Sequence, residues 1–343
     1  MLPRELKKLN RTQRAEVKAI ITDVIYSIIK ANPDTRAAGI EKSLAEYLTD
    51  IWNRRSTRGN KIAVNSITGK PTSRFSNKDK NAVLNSLDKA YRTLQKEITP
   101  RVKRDTERVY NIYKSSATGQ LRKKGITKQE EDEEIPFKDA AVIASLARIR
   151  NVSIGTHFER NLRPEISRII ETAVLDKGLN KKQAGDFLKS ELTRKLGGSA
   201  FRTAIPDSVW EQGQKSVDNY FEGLSDTHMT MSKSFSNIVA MNEARIRKIQ
   251  FVAIVDNRTS QICLEMDGRI WEIEMVNDVM ARMLESENVD ELKEAAPWKR
   301  DLSDFNVGRG ERLDDPILAG DLAKAGVVIP PLHFRCRSSL QPL

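Results

Sequence analysis

The stretch Ile249-Gln-Phe-Val-Ala-Ile-Val255, followed by Asp267-Gly268 and then by Arg269-Ile-Trp-Glu-Ile273, decides the fold. The first run is short and β-branched and the last alternates. Asp-Gly between two extended runs is a hairpin turn signal. A β-hairpin is therefore expected here, at the point where the apolar period of the chain changes from 3.6 residues to two. Upstream the chain reads as helices joined by loops. The apolar stripe Ile20, Ile21, Val24, Ile25, Ile28, Ile29 gives a first helix that ends at Asn32-Pro33. Asp34 is the expected cap of a second, with Ala37, Ile40, Leu44, Leu48, Ile51 and Trp52 on its buried face. A third starts near Asn77 and is expected to break or kink at Pro100. Further helices are expected over about 137–150, 157–177 and 181–196, the last stopped by Gly197-Gly198, and from Ile205-Pro206-Asp207 to about Lys248. Downstream of the hairpin the pattern gives helices near 275–286 and 316–325 and a last strand around Arg337 to Leu340.

The expected fold is thus α+β and mostly α: a long helical N-terminal region followed by a small C-terminal α+β domain with a β-hairpin. Four segments follow. They are a basic helical region (1–116), a charged linker (117–136) where Arg122-Lys-Lys-Gly125 is answered by Glu130-Glu-Asp-Glu-Glu134, a helical region (137–248) and the C-terminal domain (249–343).

Composition removes whole classes. No apolar run approaches the ~18 residues of a membrane span. The N-terminus lacks the apolar core of a secretory signal, so synthesis and first action in a cytoplasm are expected. Two cysteines in 343 residues are no disulfide framework, and three histidines exclude a multi-histidine metal cluster. His157 and His228 are expected in surface or capping roles.

Charge is uneven. Residues 251–343 hold eleven Lys/Arg against seventeen Asp/Glu, so this part is at −6 while residues 1–250 are at +17. The densest basic stretch carries Arg54, Arg55, Arg58, Lys61, Lys70, Arg74, Lys78 and Lys80 against Asp79 alone, in what reads as a loop. Such a block suits phosphate backbones through counterion release, which gives salt-sensitive contact without base readout. A solvated charged loop that only confers solubility fits the same residues equally well.

The chemistry-bearing residues concentrate late. Asp256-Asn-Arg258-Thr259-Ser-Gln-Ile-Cys263-Leu-Glu-Met-Asp267-Gly268 is followed by Pro330-Pro331-Leu-His333-Phe-Arg-Cys336-Arg337. Both cysteines and one histidine fall inside. Thiolate and imidazole are the usual protein ligands of zinc, and His333-x-x-Cys336 lets two side chains converge on one ion with Cys263 as a third. A structural zinc site needs a fourth, for which Asp256 and Asp267 are the candidates. The competing reading makes the cysteines small buried apolar residues and gives His333 a hydrogen bond to the chain after the Pro-Pro turn. No nucleophile-plus-base arrangement, phosphate-cradling loop or paired-carboxylate motif accompanies these residues, so no catalytic residue is assigned.

The pattern Asp256-x-Arg258-Thr259 … Cys263 … Asp267-Gly268, with Pro330-Pro331-x-His333-x-x-Cys336-Arg337 near the C-terminus, resembles the phage Mu F-like minor head proteins, also called the head morphogenesis family. The likeness is strong over 237–343 and loose from about 137; residues 1–136 match no motif. Here Cys263 falls five residues after Arg258, and Phe334-Arg335 fills the gap between His333 and Cys336.

The resemblance implies a non-enzymatic structural protein of a tailed bacteriophage or prophage. It would be assembled in the bacterial cytoplasm, placed inside the head near the portal, and active in head morphogenesis and in DNA packaging or ejection. The implied partners are the portal protein, other head proteins and double-stranded DNA, with no membrane. With the chain ending at Leu343, no C-terminal enzymatic or toxin payload is expected. The alternatives from other classes are a metal-dependent nucleic-acid-processing enzyme and a plain host DNA-binding protein.

Overall fold

Asn32 opens the first described helix, its side chain accepting the backbone N–H of Asp34 at 2.9 Å, and Pro33 fills the first helical position, where no N–H is needed. The computed structural model describes residues 32–68, 74–126, 136–175 and 178–343. Asn32, not Asp34, is therefore the cap, and Asp34 instead pairs with Lys233 at 2.9 Å. The helix expected over 17–31 lies outside the described residues.

Helix α1 (Pro33–Thr68) continues through the first part of the stretch read as a basic loop and carries Arg54, Arg55, Arg58 and Lys61. The pattern is hidden because the buried face just beyond Trp52 consists of Ser56, Gly59, Asn60 and Ala63, small or polar where large apolar groups would have signalled a helix, and turns apolar again only at Val64 and Ile67. Those residues meet backbone. Trp52 Nε1 donates to Leu196 O at 2.9 Å, Ser56 Oγ to the same carbonyl at 2.7 Å, and Asn60 Nδ2 to Gly197 O at 3.1 Å. They satisfy the open carbonyl end of the helix over Lys181–Leu196. Gly59 lets α2 (Asn77–Tyr91) approach: a Cβ there would lie 2.9 Å from that of Ala90.

The next helix, α3 (Leu94–Lys123), begins after a break at Arg92-Thr93 and carries Pro100 within it, so Pro100 does not interrupt the helix. It also runs through the first part of the expected linker; residues 127–135 lie outside the described residues. Then come α4 (Asp139–Thr156), a π-helical turn (His157–Leu162), α5 (Arg163–Leu175), α6 (Lys181–Leu196) and α7 (Asp207–Glu243).

The chain then enters β1 (Lys248–Val252), α8 (Gln261–Met266), β2 (Ile270–Glu272), α9 (Ile273–Glu285), α10 (Val289–Ala295), α11 (Pro316–Lys324) and β3 (Ser339–Pro342). The sheet is antiparallel in the order β2-β1-β3, with Ile249 opposite Trp271 and Phe251 opposite Leu340. The two strands expected to form the hairpin do pair, but α8 stands between them, so the link is no tight turn. Asp267-Gly268 returns the chain to β2, with Gly268 at φ +83° and its N–H on Phe251 O at 2.9 Å. The architecture is mostly α with a small C-terminal antiparallel sheet, as expected. No described helix is long and apolar enough to cross a membrane.

Among the described residues two large hydrophobic cores form, and three helices cross from one to the other. Val217, Phe221 and Leu224 of α7 enter the helical core, while Met231, Phe235 and Ile238 enter the core beneath the sheet. Helix α3 does the same with Val102 and Tyr110, and α4 with Ile154 and Leu146. At the crossing lies a buried polar layer: Glu41, Asp105, Arg150 and His228, none more than 4% exposed. Arg150 pairs with Glu41 and Arg101 with Asp105.

Candidate metal centre

The first half of the motif is a tight exit from β1. Asp256 N–H donates to Thr259 Oγ1 at 2.7 Å, Asp256 Oδ1 accepts Arg258 N–H at 2.9 Å, and Thr259 Oγ1–H donates to Ile254 O at 2.6 Å. These bonds aim the chain into α8, whose first turn carries Cys263. Asp267 closes the segment by accepting Ala253 N–H at 2.9 Å.

The second half leaves the buried Pro330-Pro331 pair and is pinned to α7. Thr227 Oγ1 accepts Arg335 N–H at 3.2 Å and Thr230 Oγ1 donates to Cys336 O at 2.5 Å. Arg335 sits at φ +62°, in the left-handed region, which turns Cys336 back towards α8. Gly223 makes room for the Phe334 ring, whose Cε1 would lie 2.2 Å from a Cβ on that glycine. Arg337 then closes the two halves with a bidentate bond to Asp256, Nη1 to Oδ2 at 2.8 Å and Nη2 to Oδ1 at 2.7 Å. That fork holds the Asp256 carboxyl well below the usual carboxylate range and is helped by Arg258 N–H. Arg258 itself projects into solvent, its nearest guanidinium nitrogen 3.9 Å from Asp256.

Inside this clamp the ligating atoms of Cys263, His333 and Cys336 all lie within 4.8 Å of one another. Cys263 Sγ is 3.3 Å from His333 Nε2 and 3.7 Å from Cys336 Sγ, and both thiols are free. His333 Nδ1 lies 2.9 Å from Phe334 O, so Nδ1–H donates there and the Nε2 lone pair turns to the sulfurs. The Cys263 thiol hydrogen-bonds Cys336 and pulls it down towards thiolate, with His333 adding to the effect. Cys263 is pushed up in return by the same bond and by burial, and the Cys336 sulfur raises His333. A soft donor set of two sulfurs and one oriented imidazole, with one sulfur already biased to its ligating form, fits a metal of the zinc class.

The expected fourth ligands do not fit. Asp256 is committed to Arg337 and Asp267 to the Ala253 amide, and among the described residues no carboxylate joins the three. Beside the centre opens a cleft of about 600 Å³, to which His333 and Cys336 contribute and Cys263 does not.

The basic residues divide. Arg55 pairs with Glu97 and Lys80 with Glu171. Arg54, Arg58 and Lys61 are exposed at a four- and then three-residue spacing that puts them on one face of α1, with Arg54 3.2 Å from Asp50. Arg74 and Lys78 are exposed near the start of α2, and Lys70 lies outside the described residues. The other two histidines are not surface groups. His157 stacks on Tyr220 with ring centroids 3.6 Å apart, and His228 is 4% exposed.

Several structural residues carry no motif. Arg269 is buried and donates to Glu265 O at 2.8 Å, Gly308 O at 3.1 Å and Glu311 O at 3.0 Å, tying the 308–312 loop to β2. Glu265 accepts Leu302 N–H at 2.6 Å. Their signal was an opposite-charge pair, four residues apart, inside the apolar run around Ile262 to Trp271. Thr227 and Thr230 gave none. Compared with known proteins, the chain matches no family model, no curated protein and no solved structure.

Proposed function

We propose that the chain is a structural minor head protein of a tailed bacteriophage or prophage, standing inside the head near the portal and acting in head morphogenesis. In this reading Cys263, His333 and Cys336 hold a zinc ion that cross-links α8 to the C-terminal loop and stiffens a docking domain for other head proteins. The exposed face of Arg54, Arg58 and Lys61 meets double-stranded DNA without base readout. One observation carries the reading: the two motif halves, 81 residues apart at Asp256 and Arg337, close on each other by a bidentate ion pair around the sulfur-imidazole group. Motif residues spent on holding the chain suit a scaffold.

Quantitative mass spectrometry of purified particles, full and emptied of DNA, tests it. A few copies per particle are expected, lost with the DNA if the protein is ejected and retained if it stays at the portal. Absence from both kinds of particle contradicts it.

A second reading, a metal-dependent nucleic-acid-processing enzyme, is favoured by the cleft beside His333 with exposed Arg258 on its wall. Metal-dependent turnover of DNA or RNA that Cys263→Ser abolishes would replace the structural reading with this one.

A further inference from the structure

Zinc in a Cys/His site takes four ligands; structural sites supply all of them from the protein, and open sites supply three. Among the described residues three reach the centre. Cys263 and Cys336 are 2% and 1% exposed, whereas His333 is only half-buried, so the group is sealed on its protein side and accessible on the side of the histidine. That side is the cleft. Its walls bring four cations, Lys233, Arg258, Arg335 and Arg337, and two carboxylates, Asp34 and Asp226. Three of the cations are already engaged: Lys233 with Asp34 at 2.9 Å, Arg337 with Asp256 at 2.7 Å, and Arg335 near Glu222 and Asp226 at 3.8 Å. Arg258 makes the loosest of these pairings, 3.9 Å from an Asp256 carboxyl that Arg337 already holds, and with 74% of its side chain exposed it is the cation freest to turn to a ligand.

Resting on the metal reading above, we infer that the centre is a three-ligand site whose fourth position opens into this cleft and takes a carboxylate there, oriented by Arg258. Two thiolates and a neutral imidazole already cancel the charge of a divalent ion. A single negative charge beside an arginine is then tolerated, whereas a phosphate dianion would bring a second negative charge against the two thiolates. Binding is simple ligand exchange, a carboxylate oxygen replacing water at the ion.

Cobalt-substituted full-length protein tests this, because cobalt reports its thiolates by a charge-transfer band and its remaining ligand by the visible d–d bands. Titration with acetate is expected to shift the d–d bands saturably and leave the charge-transfer band in place. Arg258→Gln should weaken acetate binding by up to about fivefold, the upper end for one exposed charge pair. The charge-transfer band with d–d bands indifferent to acetate would overturn the inference alone, the fourth position then being closed or filled by the chain itself. A stronger response to inorganic phosphate than to acetate would overturn the carboxylate assignment. Failure to retain cobalt, with no charge-transfer band, would remove the metal reading and this inference with it.

Discussion

Asp256 and Arg337 do at the scale of one residue pair what a loop-closing link does for a chain: they bring the segment after β1 and the segment before β3 into one register. Asp256→Asn should keep most of the side-chain shape, break the charge-assisted fork, lower the melting temperature and weaken metal retention; an unchanged metal affinity by competition with a chromophoric chelator would contradict that role. The pair is also acid-resistant. Its depressed carboxyl contributes stability above the ordinary aspartate range, and that contribution is lost only as the pH falls below about 4. His157 works in the opposite part of the scale. Burial pushes it down to about 4 from 6.5, so the folded state holds it neutral. Its contribution is complete above about 6.5 and falls away as the pH drops towards 4, by at most about 3 kcal/mol. His157→Phe keeps a ring against Tyr220 and should flatten urea-derived stability over that window, with buried His228 leaving a residual slope of the same sign.

At the scale of elements, long helices with an apolar buried face, such as α7 and α9, announced themselves, whereas the two-turn α8 did not and α1 was lost where backbone was the partner. The second half of α1 is the clearest case: Ser56, Gly59 and Asn60 look like loop residues because they are chosen for the carbonyls of Leu196 and Gly197. The site was legible in the same uneven way. Cys263, His333 and Cys336 could be grouped from residue type and spacing, but the competition for Asp256 by Arg337, 81 residues away, could not be. The polar layer across α1, α3, α4 and α7 was equally invisible, since Glu41 and Arg150 sit in ordinary helical sequence. There Arg150 Nε and Nη1 and Glu41 Oε1 have no hydrogen-bond partner, and burial raises the Glu41 carboxyl despite the arginine. Arg150→Ala should therefore cost about 3–5 kcal/mol, by leaving a carboxyl buried without its counter-charge. The double change Glu41→Leu with Arg150→Met should recover most of it. A double variant as unstable as Arg150→Ala alone would show that the layer contributes net stability.

On the scale of the whole molecule, the helical part and the sheet-bearing part share α3, α4 and α7, so the Cys263, His333 and Cys336 group is anchored to a helix, α7, that runs into the helical core. A zinc ion bound by Cys263, His333 and Cys336 would thus brace the C-terminal loop against α7 through Thr227 and Thr230. The proposed bridging of DNA and head proteins would use the basic face of α1 for the one and the net-acidic segment 251–343 for the other. The most direct test is elemental analysis of the purified full-length protein, run beside thermal melting with and without a strong chelator and repeated on Cys336→Ser. The account predicts one zinc per chain, removed by the chelator and absent from the variant, with the melting temperature falling in both. Metal-free protein that melts at the same temperature with chelator and with Cys336→Ser would contradict it.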